Sequence, residues 1–161
     1  MAVPPPFTNK ELAFLRVLVR EGVEFLVVGL AAAALQGAPA VTQDVDLWFR
    51  DLQDPRLHRA LRKAGVTYIP PSMENPPLLA GGGAELFDVV THMHGLEPFA
   101  EEAPRALKLK IGRTTVPVLP LERIIASKKA TDRPKDRAIL PALEDTLATL
   151  RSLDGKGSNR S

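Results

Sequence analysis

Apolar positions along the chain fall into short blocks, and the spacing within each block predicts an element. Leu12, Leu15, Val17, Leu18 and Val19 recur at roughly helical spacing. Thr8 and Glu11 stand ahead of them as a capping-box pair, and Gly22 sits where such a helix ends. Residues 23–28 are apolar apart from Glu24, rich in valine and closed by Gly29, which predicts a buried strand. Leu30-Ala31-Ala32-Ala33-Ala34-Leu35 is a strong helix former, halted by Gly37 and Pro39. Residues 42–50 then alternate, with Asp44, Asp46 and Trp48 on one face and Val45, Leu47 and Phe49 on the other, as a second strand does.

The pattern continues with a helix from Asp54-Pro55 to residue 64, closed by Gly65. A short strand over 66–69 is cut off by Pro70-Pro71, and 72–77 reads as loop. Residues 85–91 form another strand, with Leu86, Asp88 and Val90 on one face. Strands over 107–111 and 115–119 make a hairpin turned at Gly112-Arg113. Helices follow from Pro120 to 130 and from Pro134 to 153. The layout predicts one α/β or α+β domain over residues 1–153, without internal repeats, and a disordered tail over 154–161, which has no apolar anchor beyond its start.

Composition narrows the function classes. Of 161 residues, 45% are apolar and 25% charged, enough for one core and too apolar for wholesale disorder. The absence of cysteine excludes disulfides, thiolate metal sites and a thiol nucleophile. Aromatic residues are only 5%, which argues against base-stacking platforms. The net charge of +2 is no nucleic-acid signature by itself, and no basic stripe is visible in the linear sequence. No apolar run reaches the ~18 residues of a membrane span, and the first residues lack a signal-peptide pattern, so the expectation is a cytoplasmic protein without a membrane partner.

The chemistry concentrates between Gly29 and Trp48. On a strand, Asp44 and Asp46 share a side with Cβ atoms roughly 7 Å apart. Carboxylates that close repel unless a cation lies between them, and Mg²⁺ or Mn²⁺ is the natural partner for hard oxygen ligands. Gly29 lets a phosphate approach the backbone, and the helix start after it offers N–H groups. Together these predict a site for a metal-bound nucleoside triphosphate. The bland reading of Asp-x-Asp is the exposed face of an edge strand.

At this point a resemblance becomes specific. Phe25-Leu26-Val27-Val28-Gly29-Leu30-Ala31, Gly37, and Thr42-Gln43-Asp44-Val45-Asp46-Leu47 resemble the opening signature of the nucleotidyltransferase superfamily. Leu121-Glu122-Arg123-Ile124-Ile125-Ala126-Ser127-Lys128 and Arg133-Pro134-Lys135-Asp136 are similar to the C-terminal block of the small bacterial nucleotidyltransferases grouped with abortive-infection (AbiEii-type) toxins. The likeness spans residues 23–143. It implies a short mixed sheet flanked by helices and transfer of a nucleoside monophosphate from an NTP to an acceptor hydroxyl on an RNA end, a protein or a small molecule. It makes Asp44, Asp46 and Asp88 the catalytic, metal-holding carboxylates. Gly29, Leu30, Thr42 and Lys128 are the nucleotide-binding positions it implies. Arg133 and Asp136 would stand behind them, with Asp136 holding Lys128 or an arginine. It further implies the toxin side of a toxin–antitoxin pair, with an antitoxin partner. Two positions depart from the pattern. Leu30 stands where the family has Gly or Ser, and Ala40 where an Arg is frequent. The rival reading is therefore a catalytically degenerate binding module of the same fold.

Other polar positions carry blander readings. Lys129 and Arg137 suit a solvated basic helix end. His92 and His94 share the parity of Asp88, but two ligands do not make a metal site, so they read as polar residues at a strand exit. His58 falls mid-helix and reads as exposed. Gly81-Gly82-Gly83 lacks the spacing of a phosphate loop, and no hydrolase elbow is present.

Overall fold

The computed structural model describes residues 7–158. Its elements run α1 (Asn9–Arg20), β1 (Phe25–Val28), α2 (Gly29–Leu35), β2 (Val45–Phe49), α3 (Pro55–Ala64), β3 (Thr67–Ile69), β4 (Leu78–Ala80), β5 (Phe87–Val90), α4 (Phe99–Glu102), β6 (Leu107–Ile111), β7 (Thr114–Val118), α5 (Leu121–Thr131) and α6 (Pro134–Ser158). The fold is α+β: helices around a mixed five-stranded sheet of order β5-β2-β1-β7-β6, with β3 and β4 as a separate two-stranded ribbon.

The expected starts and stops come from local chemistry. Thr8 and Glu11 close the capping box of α1 in both directions. Asp54 accepts the Arg56 N–H at 2.9 Å to start α3, and Gly65 ends it at φ 71°. β1, the central strand, is buried at every position because β2 and β7 flank it and helices cover the sheet. Its partners are β2 antiparallel and β7 parallel, and β2 in turn pairs with β5 in parallel. Phe14, Leu15 and Leu18 from α1, all of β1, and Leu47, Trp48 and Phe49 from β2 form the middle of one core. Each such side chain contributes on the order of 1.5–3 kcal/mol by burial.

Three features differ from the sequence reading. β4 falls just after the expected loop and pairs antiparallel with β3; three residues behind Pro76-Pro77 are too few to show a period. α4 and the 3₁₀ turn after it, Ala103–Arg105, were not expected. They are anchored by Glu102, fully buried, whose carboxylate takes Arg123 of α5 through two N–H groups at 2.9 and 2.6 Å and the Glu97 N–H at 2.9 Å. Finally, α6 continues to Ser158, past the boundary at residue 154 expected for the tail. Residues 159–161 of that tail, and the N-terminal 1–6, lie outside the described residues.

Candidate nucleotide and metal site

The site forms where three strands end together. Val28, the last residue of β1, pairs with Asp46 on β2, and Asp46 pairs with Asp88 on β5. Neighbouring strands lie about 4.8 Å apart, so Gly29, Asp46 and Asp88 line up across one end of the sheet. Gly29 has φ +70°, and a Cβ there would come 2.7 Å from Asp46 Oδ2. Glycine is thus required both by the backbone and by the carboxylate packed against it.

The three carboxylates sit in different settings. Asp46 is half-buried. Burial pushes its carboxyl above the ordinary value of 3.8, the charges of Asp88 and Asp44 push the same way, and Lys128 and Lys135 oppose them. Asp88 is also raised, by partial desolvation and then by Asp44. Yet it is exposed, because β5 is an edge strand. Water can therefore reach Asp88. Asp44 lies ahead of β2 and is exposed, so it does not share a strand face with Asp46 and Trp48 as expected; Trp48 is buried against Phe99. The Thr42 hydroxyl donates to the Asp44 C=O at 2.8 Å and accepts its N–H at 3.3 Å. Thr42 thereby fixes the turn that presents Asp44.

A cationic group faces the acids. Asp136 is fully buried and in the first turn of α6. Its Oδ1 lies 3.2 Å from Lys128 Nζ, and its Oδ2 accepts from Arg133 Nε at 2.8 Å and from the Arg133 N–H at 3.1 Å. The Arg133 guanidinium and the other donors hold its carboxyl well below the usual carboxylate range. Lys128 is thus pinned at the site, whereas Lys129 points away and pairs with Glu144 on the surface.

Two adjoining cavities share Asp46, Lys128 and Arg133. The smaller, about 310 Å³, is lined by the acids Asp44, Asp46, Asp88 and Asp136 and by the cations Lys128, Arg133 and Lys135, with Leu30 and Thr42 also in its wall. The larger, about 600 Å³, is lined by Gly29, Ser127 and Thr131 and by His92 and His94, whose rings meet edge to face at 5.1 Å. Lys135, Ser127 and Thr131 were not singled out by the sequence. Ser127 and Thr131 follow from helix period, since they flank Lys128 on the inward side of α5. The expected His58 reading is refined: its Nε2 meets the Leu52 carbonyl oxygen at 2.8 Å.

The donor set suits a hard divalent cation: oxygens only in the smaller cavity, with Asp46 and Asp88 raised by burial and by like charges. Among the described residues no three His, Asp or Glu groups stand close enough to hold an ion as placed. Asp46 and Asp88 are fixed by strand register, whereas Asp44 lies on an exposed turn ahead of β2. No helix of the described residues is long and apolar enough to cross a membrane. No protein-family model matches the chain, and no curated protein is significantly similar to it.

Proposed function

We propose that the protein is a metal-dependent nucleotidyltransferase that moves a nucleoside monophosphate from an NTP to an acceptor hydroxyl, breaking the α–β phosphoanhydride and releasing pyrophosphate. The observation that supports it most is the smaller cavity of about 310 Å³, which Asp44, Asp46 and Asp88 line together with Lys128, Arg133 and Lys135, and where Asp136 holds Lys128 and Arg133. Such a cavity suits a polyphosphate that arrives with a divalent cation: the acids take the metal and the bases take the excess phosphate charge. Asp46 and Asp88, with Asp44 from its turn, would hold Mg²⁺ or Mn²⁺. The ion, when bound, supplies charge neutralisation at the reacting phosphate. Lys128 and Arg133 balance the non-transferred phosphates, and Asp136 keeps both side chains in place. Gly29 leaves room for a phosphate oxygen beside the backbone. In this reading Asp88, the open carboxylate on the edge strand, helps activate the acceptor hydroxyl.

Incubation of the protein with each labelled NTP, Mg²⁺ or Mn²⁺, and cellular RNA or protein tests the reading. Label transferred to one fraction and lost in Asp46→Asn supports it; no transfer from any NTP under either metal counts against it. One observation favours a second reading, a catalytically degenerate binding module of the same fold. Leu30 borders the same cavity without a hydroxyl to offer phosphate.

A further inference from the structure

Six cations without an ion pair among the described residues lie on two elements that pack together, α1 and the β6–β7 hairpin. Lys10, Arg16 and Arg20 on α1, and Lys108, Lys110 and Arg113 on the β6–β7 hairpin, form no ion pair among the described residues. The only carboxylate in these elements is Glu11, which is engaged in the capping box. The whole chain carries a net charge of only +2, so this region leaves the rest of the molecule net negative. The two segments are remote in sequence but joined in space: α1 packs on β7, and Arg16 Nε donates to Thr114 Oγ1 at 3.3 Å.

Between them lies a cavity of about 300 Å³ lined by Arg16, Arg20, Arg113, Thr114 and Thr115, with no carboxylate in its wall. Arg16 and Arg20 are one helical turn apart, a like-charge spacing that costs a few tenths of a kcal/mol without a counter-charge. Lysines on an edge strand such as β6 discourage strand pairing, but that role does not account for arginines on α1. Every phenylalanine and the tryptophan are buried, so no large aromatic face is open for stacking bases. Three guanidiniums with two hydroxyls beside them suit the oxygens of phosphate, and lysines around them extend the positive field.

We propose that α1 and the β6–β7 hairpin form a docking surface for the phosphate backbone of a nucleic-acid duplex, anchored at the Arg16–Arg20–Arg113 cavity. The surface is separate from the carboxylate site. β7 runs parallel to β1 with Val118 beside Val27, so Thr114, four residues upstream, lies roughly 13 Å back along the sheet from Gly29's end. It does not depend on the nucleotidyltransferase reading, because binding alone is measured.

The test is fluorescence anisotropy of the full chain with a short labelled RNA duplex and the matching DNA duplex, over a series of salt concentrations. A poly-glutamate peptide of equal charge serves as competitor. The expected result is duplex binding that weakens linearly on a log–log salt plot. Arg113→Ala, on an exposed turn, and Lys110→Ala should each lower that slope by about 1. Arg151→Ala, the same charge change on α6, should leave the slope unchanged. Absence of binding to both duplexes overturns the proposal. So does an equal slope change from Arg151→Ala. Displacement by poly-glutamate at the same concentration as unlabelled duplex would assign the surface to an acidic protein segment instead.

Discussion

Asp46 and Asp136 are both acids near Lys128, and their surroundings push them in opposite directions. Burial and two neighbouring carboxylates raise Asp46, whereas Arg133 and the other donors lower Asp136. A raised folded value means that the native state holds the proton more tightly than the unfolded chain does. In metal-free protein, Asp46 therefore makes stability fall as pH rises from its unfolded value of 3.8 through the higher folded one. Urea titrations in EDTA should show that slope weakened in Asp46→Asn, with a midpoint at or above wild type at neutral pH. A clearly lower midpoint would mean that Asp46 holds structure. Asp44→Asn, on an exposed turn, should change the midpoint little. Asp136 has the opposite sign: its contribution is complete above the unfolded value and lost as pH falls below it. Removing it by Asp136→Ala leaves Lys128 without its carboxylate beside a buried void and should cost about 3–5 kcal/mol. Gly29→Ala places a methyl against Asp46 at positive φ and should cost about 1–3 kcal/mol, read from the same denaturation curves.

At the scale of elements, α5 sets the site's specificity of orientation. Successive residues on a helix point about 100° apart, so of the two lysines only one can reach the carboxylates, and it is Lys128. Lys128→Ala should weaken NTP binding by roughly 10–100-fold, the equivalent of one charge-assisted contact of about 1.5–3 kcal/mol. Lys129→Ala should stay within about 0.5 kcal/mol. Equal losses in calorimetric titration would deny Lys128 its role. α2 offers the reverse experiment. Leu30 borders the smaller cavity, so Leu30→Ser should tighten NTP binding by adding a hydroxyl donor; weaker binding would show that the cavity does not hold the phosphates. Most of these elements were legible because their signals are local: Thr8 with Glu11, Asp54-Pro55 with Gly65, Gly112-Arg113 at the hairpin. β4 and α4 were not, because three or four residues carry no period. What secures α4 is Arg123, twenty-one residues downstream of Glu102.

For the molecule as a whole, charge is sorted by position and not by sequence. The carboxylate site draws on β2, β5, α5 and α6, and the Asp-x-Asp pair was readable only because Asp44 and Asp46 are two residues apart. A strand would place both on one face by alternation; here β2 begins at Val45, and Asp44 reaches the same cavity as Asp46 from a turn held by Thr42. The openness of Asp88 could not be read from its apolar neighbours, because it comes from the sheet order, which puts β5 at an edge. The basic surface could not be read from the chain at all, since α1 and the β6–β7 hairpin are separated by some ninety residues and neither is strongly basic alone.

Everything proposed for the Asp44–Asp46–Asp88 cavity depends on its binding an NTP together with a divalent cation. Calorimetric titration of ATP, CTP, GTP and UTP, each with Mg²⁺, Mn²⁺ or EDTA, tests it most directly when wild type and Asp46→Asn are compared. At least one NTP should bind, require the metal and fail to bind Asp46→Asn, while the variant melts no lower than wild type in EDTA. No binding of any NTP under either metal, or the same binding in Asp46→Asn, would contradict the proposal.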